Sequence, residues 1–339
     1  MLVSRPSEVI QTQRKALIVS VLATSLLLVA FAVAVGPENL TNLGSPNDTR
    51  PQPASGPIET PTWHVGDSWT YSVNASSAFD GTQSLWVAPS LEGTVTRAVD
   101  VADGSQYNVS LTATFHVGKV IDLSQETGYG NASIMLHSYV VLNDATVDGY
   151  TLYRASDLAK VTEFRTVHIS GSFHAEYGTY NATINASYTA KVLTDYAPPL
   201  DIWSFPLGEN ETWEAASNAT VHVWKVWRFE GADWYIEKGR NATFTVPIRV
   251  LLASGMFEDV TTPAGTFSAI PVRVGLPLMD LGTTTDQMAF AMRLGDDGFG
   301  EPHAPVEAWF NGDVGNVVKA VTVLDGLHVQ IELTSYHRA

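Results

Sequence analysis

Tyr107-Asn108-Val109-Ser110-Leu111-Thr112-Ala113-Thr114-Phe115-His116-Val117 alternates between apolar and polar side chains without a break. Successive side chains of a strand point to opposite faces, so this stretch predicts a strand with Tyr107, Val109, Leu111, Ala113, Phe115 and Val117 buried. Asn108, Ser110, Thr112, Thr114 and His116 then face water. The same period recurs at residues 181–188, with Ala182, Ile184, Ala186 and Tyr188 inward, and at residues 328–334. Residues 244–252 follow it too, although Pro247 cannot donate to a ladder and predicts an edge or a bulge. Ala102-Asp103-Gly104, Val147-Asp148-Gly149, Pro263-Ala264-Gly265 and Leu324-Asp325-Gly326 read as turns between strands. Beyond residue 35 no segment keeps a 3.6-residue apolar period for three turns, and the chain reads as all-β.

Outward from this strand, Trp63-His64-Val65-Gly66-Asp67-Ser68-Trp69-Thr70-Tyr71 has an echo at Trp203-Ser204-Phe205-Pro206-Leu207-Gly208-Glu209-Asn210-Glu211-Thr212-Trp213. Each is an aromatic residue, a tight turn at glycine, an acidic neighbour and a strand opening on Trp. Gly66 and Gly208 stand one ordinary domain length apart. The echo predicts two antiparallel modules of β-sandwich or half-barrel form, residues 63–196 and 197–339. Ala197-Pro198-Pro199-Leu200 marks the division, because consecutive prolines disfavour both helix and ladder.

Residues 1–15 carry Arg5, Arg14 and Lys15, and residues 16–35 then run without a charge. As a helix these twenty residues span about 30 Å, the thickness of a bilayer's hydrocarbon core. The basic flank places residues 1–15 in the cytoplasm and the acidic bulk outside, which predicts a single-pass membrane protein. A cleaved signal peptide is the alternative, since Ala32-Val33-Ala34 fits a cleavage site. Residues 36–62 hold Pro37, Pro46, Pro51, Pro53, Pro57 and Pro61 among polar residues and read as an extended stalk.

The formal charge of −16 over 339 residues argues against nucleic acid as a partner. Absence of cysteine excludes disulfide scaffolds, thiolate metal sites and cysteine nucleophiles. Only 16% of residues are charged, so Ser, Thr, Asn and Gly must solvate the surface. Asn-x-Ser/Thr occurs at Asn39, Asn47, Asn74, Asn108, Asn131, Asn181, Asn185, Asn210, Asn218 and Asn241. That is ten of fourteen asparagines, where about three would arise by chance, so several are expected to carry glycans. The nine histidines form no paired ligand spacing, and His116, His222 and His328 fall on wet faces. Gly295-Asp296-Asp297-Gly298-Phe299-Gly300-Glu301 lacks the alternation of a calcium loop and reads as an acidic turn. No catalytic motif, metal ligand set or cofactor fingerprint is present in the pattern.

The aromatic run Val221-His222-Val223-Trp224-Lys225-Val226-Trp227-Arg228-Phe229 turns at Glu230-Gly231-Ala232-Asp233 into Trp234-Tyr235-Ile236. Val223, Trp227 and Phe229 share one face and are expected in the core. Trp224 and Val226 share the other and, joined by Trp234, are the expected ligand-binding residues, for an apolar or sugar ligand.

Trp63 to Tyr71, Phe205-Pro206-Leu207-Gly208 leading to Trp213, Val260 to Ala269 around Thr262-Pro263-Ala264-Gly265-Thr266-Phe267, and Ala308-Trp309-Phe310 leading to Val314-Gly315-Asn316-Val317-Val318-Lys319 recur in this order. In these motifs the chain resembles an uncharacterised family of exported bacterial and archaeal β-rich envelope proteins. The likeness covers residues 63–336 and is tight only at the motifs; Glu209-Asn210-Glu211 departs from the usual Gly-Asp. It implies an all-β, envelope-exposed protein and carries no catalytic residue across. The expectation is a membrane-anchored extracytoplasmic glycoprotein with a non-enzymatic binding or structural role, in contact with envelope components or an apolar ligand. A surface-coat module without a ligand site and an extracellular hydrolase are the alternatives.

Overall fold

In the computed structural model the alternating stretch is the central part of a barrel wall. Residues 56–77, 91–117, 120–122, 125–129, 132–177, 180–274, 306–324 and 327–339 are described. They form β1 (Ser68–Ser77), β2 (Leu91–Ala102), β3 (Gln106–Val117), β4 (Val120–Asp122), β5 (Gln125–Tyr129), β6 (Ala132–Arg154), β7 (Lys160–Tyr177), β8 (Tyr180–Leu200), β9 (Thr212–Glu230), β10 (Tyr235–Ser254), β11 (Glu258–Thr262), β12 (Gly265–Val274), β13 (Val306–Asn311), β14 (Asn316–Leu324) and β15 (Leu327–His337). Among the described residues no helix is long and apolar enough to cross a membrane; the expected anchor at 16–35 lies outside them.

Twelve strands pair antiparallel, each with the next along the chain, and β15 returns to β1 to close the barrel. β4 and β5 pair with the far part of β6, and β11 makes a hairpin with β12. The expected pair of sandwich or half-barrel modules is therefore corrected to a single barrel. Its first half is β1, β2, β3, β6, β7 and β8; its second is β9, β10 and β12 to β15. The echo survives in another form, because β1 and β9 lie six strands apart and so on opposite sides of the ring. Gly66 N donates to Val99 O (3.0 Å) and Val99 N to Asp67 O (2.9 Å). Across the barrel, Asn210 N donates to Gly255 O (3.3 Å) and Ser254 N to Glu211 O (2.9 Å).

Register fixes which side chains face in. One hydrogen-bonded row runs Leu333, Tyr71, Val95, Ala113, Val147, Val167, Ala190 and Lys225 across eight strands, and all but Lys225 are buried. The outward rows carry Thr70, Ser72, Thr96, Ser110 and Thr112. This is the reverse of the apolar outer band of a membrane-inserted barrel. The predicted faces of β3 hold from Tyr107 to Phe115, and Val329, Ile331 and Leu333 of β15 also face in. Pro247 sits on the outward face of β10, opposite Asn218, where β10 has no other neighbour among the described residues. Val147-Asp148-Gly149 is a correction: it is mid-strand in β6, not a turn. A Cβ at Gly149 would lie 2.0 Å from Phe164 O and 3.0 Å from Arg165 Cα, both in the backbone of β7. Glycine is there for room.

The family-like motifs meet at one end of the barrel, the base. Trp63 and Trp69 donate their indole N–H groups to Gly315 O (2.9 Å) and Val314 O (3.0 Å), and Tyr71 OH reaches Val317 O (3.0 Å). Asp67, fully buried, accepts from His64 N and Ala339 N and pairs with Arg338. Gly315 has φ of +66°, and a Cβ there would sit 2.0 Å from the Arg338 guanidinium. The turn at Pro263-Ala264-Gly265 docks through Ala264 N to Leu333 O (3.1 Å). Trp203 and Phe205 close on Phe310 with ring centroids 4.9 and 5.3 Å away. Ile58 and Pro61, within the segment expected as a stalk, belong to this base: Ile58 pairs with Leu207 and Pro61 is buried, while residues 36–55 lie outside the described residues.

Candidate functional site

Two zones of the inner wall depart from a plain apolar lining. The lower zone begins with Glu163 and Arg165 of β7, which share the inward face of Val167 and Ile169. Glu163 accepts from Lys160 Nζ at 3.1 Å and from Arg165 Nη2 at 3.2 Å, with all three side chains almost wholly buried. Arg165 also donates to Tyr150 O, Phe164 O and Thr151 Oγ1 at 2.7–2.8 Å. Arg97 of β2 donates to the Tyr153 hydroxyl of β6 and lies over its ring, 5.6 Å from the centroid. Burial would raise the Glu163 pKa, but Lys160 and Arg165 outweigh it and hold the carboxyl below its ordinary range. Burial would likewise lower the Lys160 pKa, and Glu163 turns the shift upward. Tyr71 and Tyr196 are pushed up by burial, whereas Arg97 carries Tyr153 down against it. This zone is a network of ion pairs and hydrogen bonds that braces the wall above the base, in which the buried Arg165 Nε has no hydrogen-bond partner among the described residues.

The upper zone is the inward face of the hairpin β9–β10. Among the described residues the β10–β12 closure comprises three pairs, Leu252 with Val274 to Ser254 with Val272. Beyond it residues 235–251 of β10 have β9 as their one strand neighbour among the described residues. The inward face there reads Val223, Lys225, Trp227 and Phe229 on β9, against Ala242, Arg240, Lys238 and Ile236 on β10. Phe115 and Ala145 of the far wall are 0% exposed, but Ile236 is 41% exposed and Lys238 and Arg240 are open to solvent. Trp227 is half-buried and meets the Tyr188 ring at 5.2 Å. Burial lowers the Lys225 pKa, and neither hydrogen bond nor ion pair reaches its ammonium among the described residues.

The three expected ligand residues lie elsewhere. Trp224 (39% exposed) is on the outward face and stacks on His222 at 6.2 Å; Val226 is half-buried on the same face. Trp234 (43% exposed) is at the hairpin turn, its indole folded against Gly231. A surface cavity of about 240 Å³ beside the turn is lined by Asn143, Ser170, Asn185, Arg228, Glu230 and Tyr235 among others, and by none of the three. The expected core face is where it was placed: Val223 is buried, and Trp227 and Phe229 pack on the core.

Of the glycan acceptors, Asn74, Asn185, Asn210, Asn218 and Asn241 are exposed. Asn108 points outward yet is half-buried, with its Oδ1 shielded. Asn39, Asn47 and Asn131, and the acidic turn at 295–301, lie outside the described residues, as does the side chain of Asn181. Among the described residues, no three carboxylates or histidines gather as metal ligands. Sequence reasoning missed Glu163, Arg165 and Lys225, although the alternation carried them: each sits an even number of residues from an apolar residue on a core face. No protein-family model, curated protein or solved structure matches the chain.

Proposed function

We propose that this protein is a non-enzymatic binding barrel, exported and anchored by residues 16–35, that takes an apolar ligand on the inward face of β9–β10. The observation that carries this reading is the part-exposed inward face of Trp227, Phe229 and Ile236, in a wall where Phe115, Ala145, Ile169 and Tyr188, in the row of Trp227, are buried. Leaving aromatic and aliphatic surface wet forfeits about 25 cal/mol for each Å² not buried, so a bound apolar chain would stabilise what folding leaves exposed. Glycans on Asn74, Asn185, Asn210, Asn218 and Asn241 belong to the same extracytoplasmic reading, as all five are accessible.

The test is photo-crosslinking of a diazirine-bearing hexadecanol to the full chain in lipid nanodiscs, with the labelled peptides mapped by mass spectrometry. Label on inward positions of residues 221–246, reduced several-fold by Trp227→Ala, is the expected result. Label centred on Trp224 and Trp234 would move the site to the outer face. No label on the hairpin would leave a surface module without a ligand site.

A further inference from the structure

The charges of the inner wall are distributed against the composition of the chain. The sequence holds 35 acidic and 19 basic residues. Among the described residues facing the interior along the twelve strands, Arg97, Lys160, Arg165, Lys225, Lys238 and Arg240 stand against one carboxylate, Glu163. Glu163 is already shared by Lys160 and Arg165 in the lower zone. Lys225, Lys238 and Arg240 are left in the upper zone with no ion pair among the described residues.

Lys225 is the direct cross-strand partner of Arg240, and Lys238 that of Trp227. Like charges directly opposite are destabilising, and the hairpin shows the alternative on its other face, where Arg228 pairs with Glu237 at 2.8 Å. Three cations without an ion pair among the described residues, interleaved with Trp227, Phe229 and Ile236, combine a charge to be neutralised with an apolar surface to be covered. A carboxylate would offset one of these three charges. A phosphate group can carry close to two charges, and it suits a guanidinium fork flanked by ammonium groups.

On the reading of this wall as an apolar ligand site, we infer that its ligand is a single-chain amphiphile with a phosphate head, the head held by Lys225, Lys238 and Arg240 and the chain laid along Trp227, Phe229 and the inward valines of β9. An anion beside Lys225 would also relieve the burial that its ammonium bears alone.

The experiment is competition in the same crosslinking assay. Unlabelled hexadecyl phosphate should displace the hexadecanol probe from the hairpin at a concentration at least tenfold lower than unlabelled hexadecanol. Lys225→Gln/Lys238→Gln/Arg240→Gln should abolish that preference while keeping the hexadecanol label. Arg228→Gln, which alters only the outward face, should leave it intact. Lys238→Gln/Arg240→Gln, at two exposed positions, should lower the preference severalfold and stands in if the triple variant misfolds. Equal displacement by both compounds overturns the phosphate head and leaves the apolar site standing. Displacement by inorganic phosphate as strong as by hexadecyl phosphate overturns the amphiphile. If hexadecyl phosphate competes only after Asp280, Asp286, Asp296, Asp297 and Glu301 are changed to amides, the wall belongs to an acidic segment of the chain itself and the inference falls. No hairpin label from any probe removes the underlying reading and this inference with it.

Discussion

Glu163 shows how much one side chain can decide. It is the single acid between Lys160 and Arg165, so Glu163→Gln strands two buried cations. The expected loss is about 3–5 kcal/mol, measured by urea unfolding. The pH dependence has a definite sign. Folding lowers the Glu163 pKa, so its stabilisation is complete above the ordinary carboxyl value of about 4.3 and is lost as pH falls through the folded value. Part of the acid slope of the unfolding curve should vanish in the Gln variant; an unchanged slope would mean that the carboxylate is not held by its neighbours. Two glycines make a paired test. Gly149→Ala forces a Cβ against Phe164 O and should destabilise by about 2 kcal/mol or more. Gly239→Ala meets nothing closer than Lys225 O at 3.6 Å and should be neutral or stabilising by about 0.5 kcal/mol. Gly149 was misread as a turn because Asp-Gly is a turn signal wherever it stands. Only the backbone of the next strand, pressed against this point at Phe164 and Arg165, explains it.

At the scale of the element, the hairpin β9–β10 was legible as an aromatic pair with one core face, and Val223, Trp227 and Phe229 follow that reading. What could not be read was which neighbours it would have. The seam between β10 and β12 brings Leu252 to Val274 across the β11–β12 hairpin, and no local pattern announces these pairs, three among the described residues. Amide exchange tests the seam. Residues 236–250 of β10 should exchange at least tenfold faster than residues 107–115 of β3, which are flanked on both sides. Equal protection would mean a wall closed along its length. Glycosylation divides on the same logic of exposure: Asn218 and Asn241 should be occupied in glycopeptide maps of the native protein and the shielded Asn108 left bare.

For the whole molecule, the sequence patterns specified strands and their faces but not their count around a ring. The echo of Gly66 at Gly208 looked like a second domain because it repeats a beginning; it marks the half-turn of one closed sheet. Nothing in a linear pattern tells β15 to return to β1, since that pairing joins residues such as Ser68 and His337. The motifs carried more long-range information than their local reading allowed, because Trp63, Trp69 and Tyr71 all reach carbonyls of residues 314–317. Trp69→Ala, at 0% exposure in this base, should cost about 3–5 kcal/mol in thermal or urea unfolding. Trp224→Ala should cost about 1 kcal/mol or less, and equal losses would mean that the outward face is covered.

The chain enters at the base, where Ile58 pairs with Leu207, and the β9–β10 turn is at the far rim. In the proposed anchored form this gives the barrel a heading: its floor is turned to its own bilayer and its mouth away from it. Twenty-two residues, the number from 36 to 57, reach at most roughly 70 Å at about 3.3 Å each. Cargo leaving the leaflet below would have to travel around the whole wall to reach Trp227. Loading from the medium, or from a neighbouring surface, is the shorter route.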